Sequence, residues 1–233
     1  MPHPFLEKMR AAVRLGFNAA HQGQMPPPTA ATTALLETAA WQQDTSTVRS
    51  LITQWPSLVH HAAKDGLTTL HAAAASMDGE QVEWLLARGA KINAPDAEGN
   101  TPLHYAAQAP HAETTEALVR AHADINAANN RGETPLYYAI MFERPDSVHL
   151  LIAAGAKDSI ARHDGETPRS LAPKSDKQRR GDEPGPEERP DMLHALDTAQ
   201  ADRKQAFENA PVLAQDMTLA PAPVIRKRSG RNL

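Results

Sequence analysis

The sequence has no cysteine. That excludes a disulfide framework, a thiolate metal site, an iron–sulfur cluster and a cysteine nucleophile. A chain that needs no bridges is expected in a reducing, cytoplasmic setting. Aromatic residues are scarce too, at 4%. Lys and Arg number 24 against 28 Asp and Glu, for a net charge of −4, which argues against nucleic acid as a partner. No segment reaches the ~18–20 uninterrupted apolar residues of a membrane span. Glu7, Lys8, Arg10 and Arg14 break up the N-terminus before the apolar core of a secretory signal can develop. Alanine, by contrast, is plentiful, at 42 of 233 residues. Small side chains must carry much of the packing, so elements should approach closely.

A fixed internal period organises the middle of the chain. Thr68, Thr101, Thr134 and Thr167 are spaced by 33 residues, and each follows a glycine by two positions: Gly66, Gly99, Gly132 and Gly165. One unit, 96–128, reads as local structure. Asp96-Ala97-Glu98-Gly99-Asn100 is a turn in which Gly99 can take positive φ. Thr101 caps a helix, and Pro102 fills its first position, where no amide donor is needed. Leu103, Ala106 and Ala107 give that helix an apolar face, and Pro110 ends it. A second helix follows with Leu118 and Val119, before Ile125-Asn126 leads to the next turn.

These residues resemble the ankyrin repeat, whose signature Thr-Pro-Leu-His-x-Ala is complete at Thr101–Ala106. It is nearly complete at Thr68-Thr69-Leu70-His71-Ala72-Ala73 and at Thr134-Pro135-Leu136-Tyr137-Tyr138-Ala139. The second half recurs at Leu85–Asn93, Leu118–Asn126 and Leu151–Ser159. The resemblance implies an all-α solenoid of stacked helix-turn-helix units joined by β-turn loops. It divides the chain into an N-terminal segment (1–29), a repeat domain (30–173) and a tail (174–233). Within the domain, 30–62 is degenerate, 63–95, 96–128 and 129–161 are clear, and 162–173 is a partial C-terminal cap. Atypical end units are expected because each faces water on one side. Departures from the pattern lead us to expect a less regular 96–128 repeat. His122 stands where Gly89 and Gly155 close the other second helices, and Met77, Pro110 and Glu143 replace the usual inter-helix glycine.

The flanks differ in kind. Phe5, Leu6, Met9, Ala12, Val13 and Phe17 fall at helical spacing ahead of a stiff Pro26-Pro27-Pro28 spacer. Residues 174–190 are charged and Pro/Gly-rich, the composition of disorder. Residues 191–208 can form a modest helix capped by Asp191, with Leu193, Leu196 and Phe207 roughly on one side. The end is basic, with Arg226, Lys227, Arg228 and Arg231.

Catalytic chemistry is not apparent. His60 and His61 are adjacent and diverge on a helix, while His71 and His104 belong to the repeat signature. There is no His-Glu-x-x-His, no Gly-x-Ser-x-Gly and no phosphate-binding glycine loop. We therefore expect no enzyme, no cofactor, no metal and no small-molecule substrate. The resemblance implies a scaffold or adaptor that binds a protein partner, of unknown identity, on its concave side. Carried onto this chain, the contacting positions are Glu98, Asn100, Gln108, Arg131, Glu133, Met141 and Phe142. Met141-Phe142 stands out as two adjacent large apolar residues; the other account of Phe142 is that it folds back to restore packing. A second reading is a regulatory protein, or a secreted bacterial effector acting in a host cell. There the N-terminal segment or basic C-terminus would direct targeting or secretion. Trp84, at the position of Ala117 and Leu150, is expected in the core.

Overall fold

A computed structural model of the chain describes residues 27–172 and 192–208. The expectations for residues 1–26, 173–191 and 209–233, including the Asp191 cap and the basic end, lie outside the described residues. Ten α-helices are present among those described, and no strand beyond one isolated bridge, Ala62 to Thr68. They are α1 (Ala30–Trp41), α2 (Thr45–Gln54), α3 (Thr69–Ala75), α4 (Gly79–Leu86), α5 (Pro102–Gln108), α6 (Glu113–Arg120), α7 (Pro135–Met141), α8 (Pro145–Ala153), α9 (Pro168–Leu171) and α10 (Met192–Glu208). A 3₁₀ turn, Pro56–His60, follows α2.

The first helices α3, α5, α7 and α9 all start from a threonine held in extended backbone: Thr68, Thr101, Thr134 and Thr167. Proline occupies the opening position of α5, α7 and α9, where its missing amide hydrogen costs nothing. Second helices start differently. The Asp44 carboxylate accepts from the Thr47 amide at 3.1 Å, and Asp78 from Gln81 at 2.9 Å. Both satisfy amides that a helix start leaves bare.

Helices stack like with like: α3 on α5, α5 on α7, α4 on α6 and α6 on α8. The period is visible in the core itself. Leu70, Leu103 and Leu136 lie at 0–1% exposure, and Leu85, Leu118 and Leu151 at 0%. Each fully buried leucine contributes ~1.5–3 kcal/mol. Ala73-Ala74 and Ala106-Ala107 are buried where first helices meet, which explains the alanine content. Ala–Ala contacts let helices nest at the short end of the usual ~8–10 Å spacing.

Three features depart from the sequence reading. The 96–128 repeat is not irregular in its helices: α5 and α6 have seven and eight residues, as α3 and α4 do. What sets it apart is His122 at φ 62° where the others have glycine; the α6 start at Ala112 lacks a side-chain cap, but so does the α8 start at Arg144. Trp84 is at the edge of the core rather than within it. It is half-buried and packs against the core, with the Arg88 guanidinium 3.6 Å from its ring centroid and Arg49 at 5.5 Å. Finally, α10 does more than decorate a tail. Its Met192, Ala195, Leu196 and Ala199 are buried, and it lies along α8. It takes the place that a second helix would hold after the short α9. Phe207 does not share that burial and is 69% exposed.

Candidate functional site

The turns that link repeats form a continuous ladder. The Ala97 amide donates to the Asp65 carbonyl at 2.7 Å, Asn130 to Glu98 at 2.9 Å, and His163 to Arg131 at 3.0 Å. Inside each turn a side chain holds the loop shut. Asp96 Oδ1 accepts from the amides of Glu98 (2.9 Å) and Asn100 (2.8 Å), and Asn129 Oδ1 from those of Arg131 (2.9 Å) and Glu133 (3.0 Å). Gly99 has φ +82°, and a Cβ there would stand 2.6 Å from Asn130 Oδ1. Glycine is required at that point by both the backbone and the next turn.

Behind the turns, each signature histidine ties two repeats together. The Thr101 amide donates to His104 Nδ1 at 3.0 Å, and His104 Nε2 sits 3.0 Å from the Glu133 carbonyl. His71 repeats this with Thr68 (3.1 Å) and the Asn100 carbonyl (3.1 Å). An amide can only donate and a carbonyl only accept. Both rings are therefore neutral, with the proton on Nε2. Burial lowers both imidazoles, against a partial upward pull from those carbonyls. Tyr137 fills the same position one repeat on. Its longer side chain reaches past the backbone, and its hydroxyl donates to Glu166 Oε2 at 2.7 Å.

A polar cluster lies under the middle turns. Asn129 Nδ2 donates to Asn100 Oδ1 (2.8 Å) and to Glu133 Oε2 (2.9 Å). The Tyr138 hydroxyl is 3.1 Å from Glu133 Oε2, and Arg131 Nη2 donates to it at 3.2 Å. Arg131 Nε also donates to Glu133 Oε2 at 3.0 Å, and Arg162 Nη1 is 3.6 Å from Oε1. Burial pushes the Glu133 carboxyl up. The hydrogen bonds from Asn129 and Tyr138, with the charges of Arg131 and Arg162, outweigh that and hold it below the usual carboxylate range. Burial and the Asp96 carboxylate, 2.7 Å away, push the Tyr105 hydroxyl up.

A family model described as ankyrin repeats (three copies) matches residues 35–129 and 70–164. Together the matches span 35–164, more than half of the chain. The chain belongs to the ankyrin-repeat family. No curated protein matches it. Ankyrin repeats are generally protein-interaction modules, and the histidine bonds and turn ladder tie each repeat of this stack to the next.

On this ankyrin stack the expected contact residues separate into two sets. Glu98 and Arg131 are exposed on neighbouring turn tips, 3.8 Å apart. Gln108 is half-buried at the end of α5, and its carbonyl accepts from Arg144 Nε at 2.8 Å. Met141 and Phe142 are 44% and 40% exposed at the end of α7. Asn100 and Glu133 are turned inward at 5% and 4% exposure. Their side chains are consumed by the cluster just described, so they leave the set of available contacts. Tyr138 is the residue that sequence reasoning missed. It touches Arg131 through its hydroxyl and stacks on the Phe142 ring, with centroids 6.2 Å apart and planes at 20°. The signal was its place in the signature, where Ala72 and Tyr105 stand in the other repeats. Among the described residues no group of three His, Asp or Glu could hold a metal ion, and no helix is long and apolar enough to cross a membrane.

Proposed function

We infer that the protein is a non-enzymatic scaffold or adaptor that takes a protein partner on the face made by its turn tips and first helices. The observation that carries this is the pair Met141 and Phe142. Both are substantially exposed, yet Phe142 is not loose: it stacks on Tyr138, which the Glu133 cluster fixes. An exposed ring already held in place loses little entropy on binding, which favours an anchor. Glu98 and Arg131 add exposed charges of opposite sign on the turn tips, with Arg131 reaching the Tyr138 hydroxyl, and can set the partner's orientation.

The test is capture from the native cell, read by mass spectrometry, with Met141→Ala and Phe142→Ala introduced together. Both side chains are exposed, so the stack should stay folded by circular dichroism. Truncating an anchor of this kind costs ~2 kcal/mol or more of binding, so partners captured by the wild type should be depleted roughly thirtyfold. Undiminished capture by the folded variant would refute this choice of face.

A further inference from the structure

The inward face of α10 runs on past the helix it packs against. Met192, Leu196 and Ala199 on that face are buried against α8. The same stripe continues at helical spacing through Arg203 and Phe207, but α8 ends at Ala153. Every residue from Ala201 to Glu208 is consequently exposed. The overhang leaves a cleft of about 450 Å³ between the last two turns of α10 and the loop after α8.

The cleft has an apolar base and a basic rim. Ile152 and Ala156 line it from the stack, and Phe207 from the overhanging helix. Lys157, Arg203 and Lys204 surround them. Asp158, which also lines it, is already taken: Arg169 lies 3.3 Å and Gln200 3.0 Å from its Oδ2. Among the described residues Lys157 and Arg203 have no carboxylate partner. Lys204 has only Glu208 at 3.9 Å on the open surface, a pair that contributes little. Capping the stack needs only the first half of α10. Its second half buries nothing and presents an aromatic beside an arginine, the residue types enriched at interface hot spots.

The geometry points to this cleft as a second docking site, for an acidic segment of a partner protein that carries one apolar side chain between carboxylates. The apolar side chain lies on Phe207 and Ala156. The carboxylates meet Lys157 and Arg203, whose guanidinium can bind one through two parallel hydrogen bonds. The site is separate from the Met141–Phe142 face.

The experiment passes the full chain over immobilised short peptides in which Leu or Phe is flanked by Asp and Glu, with Lys-flanked copies as controls. The wild type should retain the acidic set in preference. Arg203→Glu and Phe207→Ala, made separately at exposed positions, should each weaken retention at least about tenfold, equal to about 1.4 kcal/mol. Met141→Ala with Phe142→Ala should leave it unchanged. Equal retention of acidic and basic peptides overturns the proposal, as does full retention by Arg203→Glu. Retention that emerges only after residues 209–233 are deleted also overturns it, because the cleft's occupant is then the chain's own end.

Discussion

Acidification from pH 7.5 to 5.5 should destabilise the stack through two residues, His71 and His104. Both are 0% exposed and both use each ring nitrogen in the neutral state. A proton added to Nδ1 would point at a backbone amide that is itself a donor. Their folded values are lowered from the ordinary 6.5, while the unfolded chain titrates near 6.5. The unfolded state therefore binds more protons once the pH drops below that value. Stability is complete above 6.5 and falls as the pH descends from there towards the folded values. Each histidine can contribute at most about 1.4 kcal/mol per pH unit. One unit below 6.5, the two together remove up to about 2.7 kcal/mol. Asp96 and Glu133 are lowered from ordinary values of 3.8 and 4.5, so their losses begin only below pH 4.5 and do not overlap this window. Urea unfolding followed by far-ultraviolet circular dichroism at several pH values measures the slope. His104→Gln, which cannot titrate, should lower stability at pH 7.5 by about 1–3 kcal/mol and roughly halve the slope. A His104→Gln protein that keeps the full wild-type slope would show that the histidines do not carry it.

Glu133→Gln should keep part of the cluster and cost about 1–3 kcal/mol, whereas Glu133→Ala, which removes the acceptor shared by Asn129, Tyr138 and Arg131, should cost more; thermal melts of the two variants rank them. Gly99→Ala should be more damaging than Gly165→Ala, because a new Cβ meets Asn130 at 2.6 Å in the first case and nothing within 4 Å in the second. His122→Gly relieves a left-handed residue at φ 62° and should raise stability by about 0.5–1 kcal/mol in the same melts. Ending the chain at Ala172 removes α10, uncovers the side of α8 that carries Ile152, and should lower the melting temperature and raise binding of a hydrophobic dye.

The local half of this architecture could be read directly. Threonine caps, glycine turns and alanine pairs recur at a spacing that a single pass along the chain exposes, because each acts within a few residues of itself. What could not be read depends on which partners the folded turns bring together. Asn100 and Glu133 occupy turn positions that resemblance assigns to a partner, yet their side chains go inward. Asn129 and Tyr138 claim both: for Asn100 they lie one repeat on, and for Glu133 in its own turn and the helix that follows. Trp84 looked like core because its equivalents are Ala117 and Leu150. The arginines beside its ring come from α2 and from just past the end of its own helix. Phe207 sits at the right helical interval to join Leu196, but burial there depends on how far α8 extends, and α8 stops short.

The closing helix has a consequence for synthesis. The apolar side of α8 is complete once the ribosome passes Ala153, but the residues that cover it extend to Ala199. At ~5–20 residues per second, the roughly 46 intervening residues take about 2–9 s to add. For that interval the nascent stack has a bare end, open to chaperones or to another unfinished chain. The order of synthesis thus gives this protein a vulnerable window that a contiguous final repeat would have shortened.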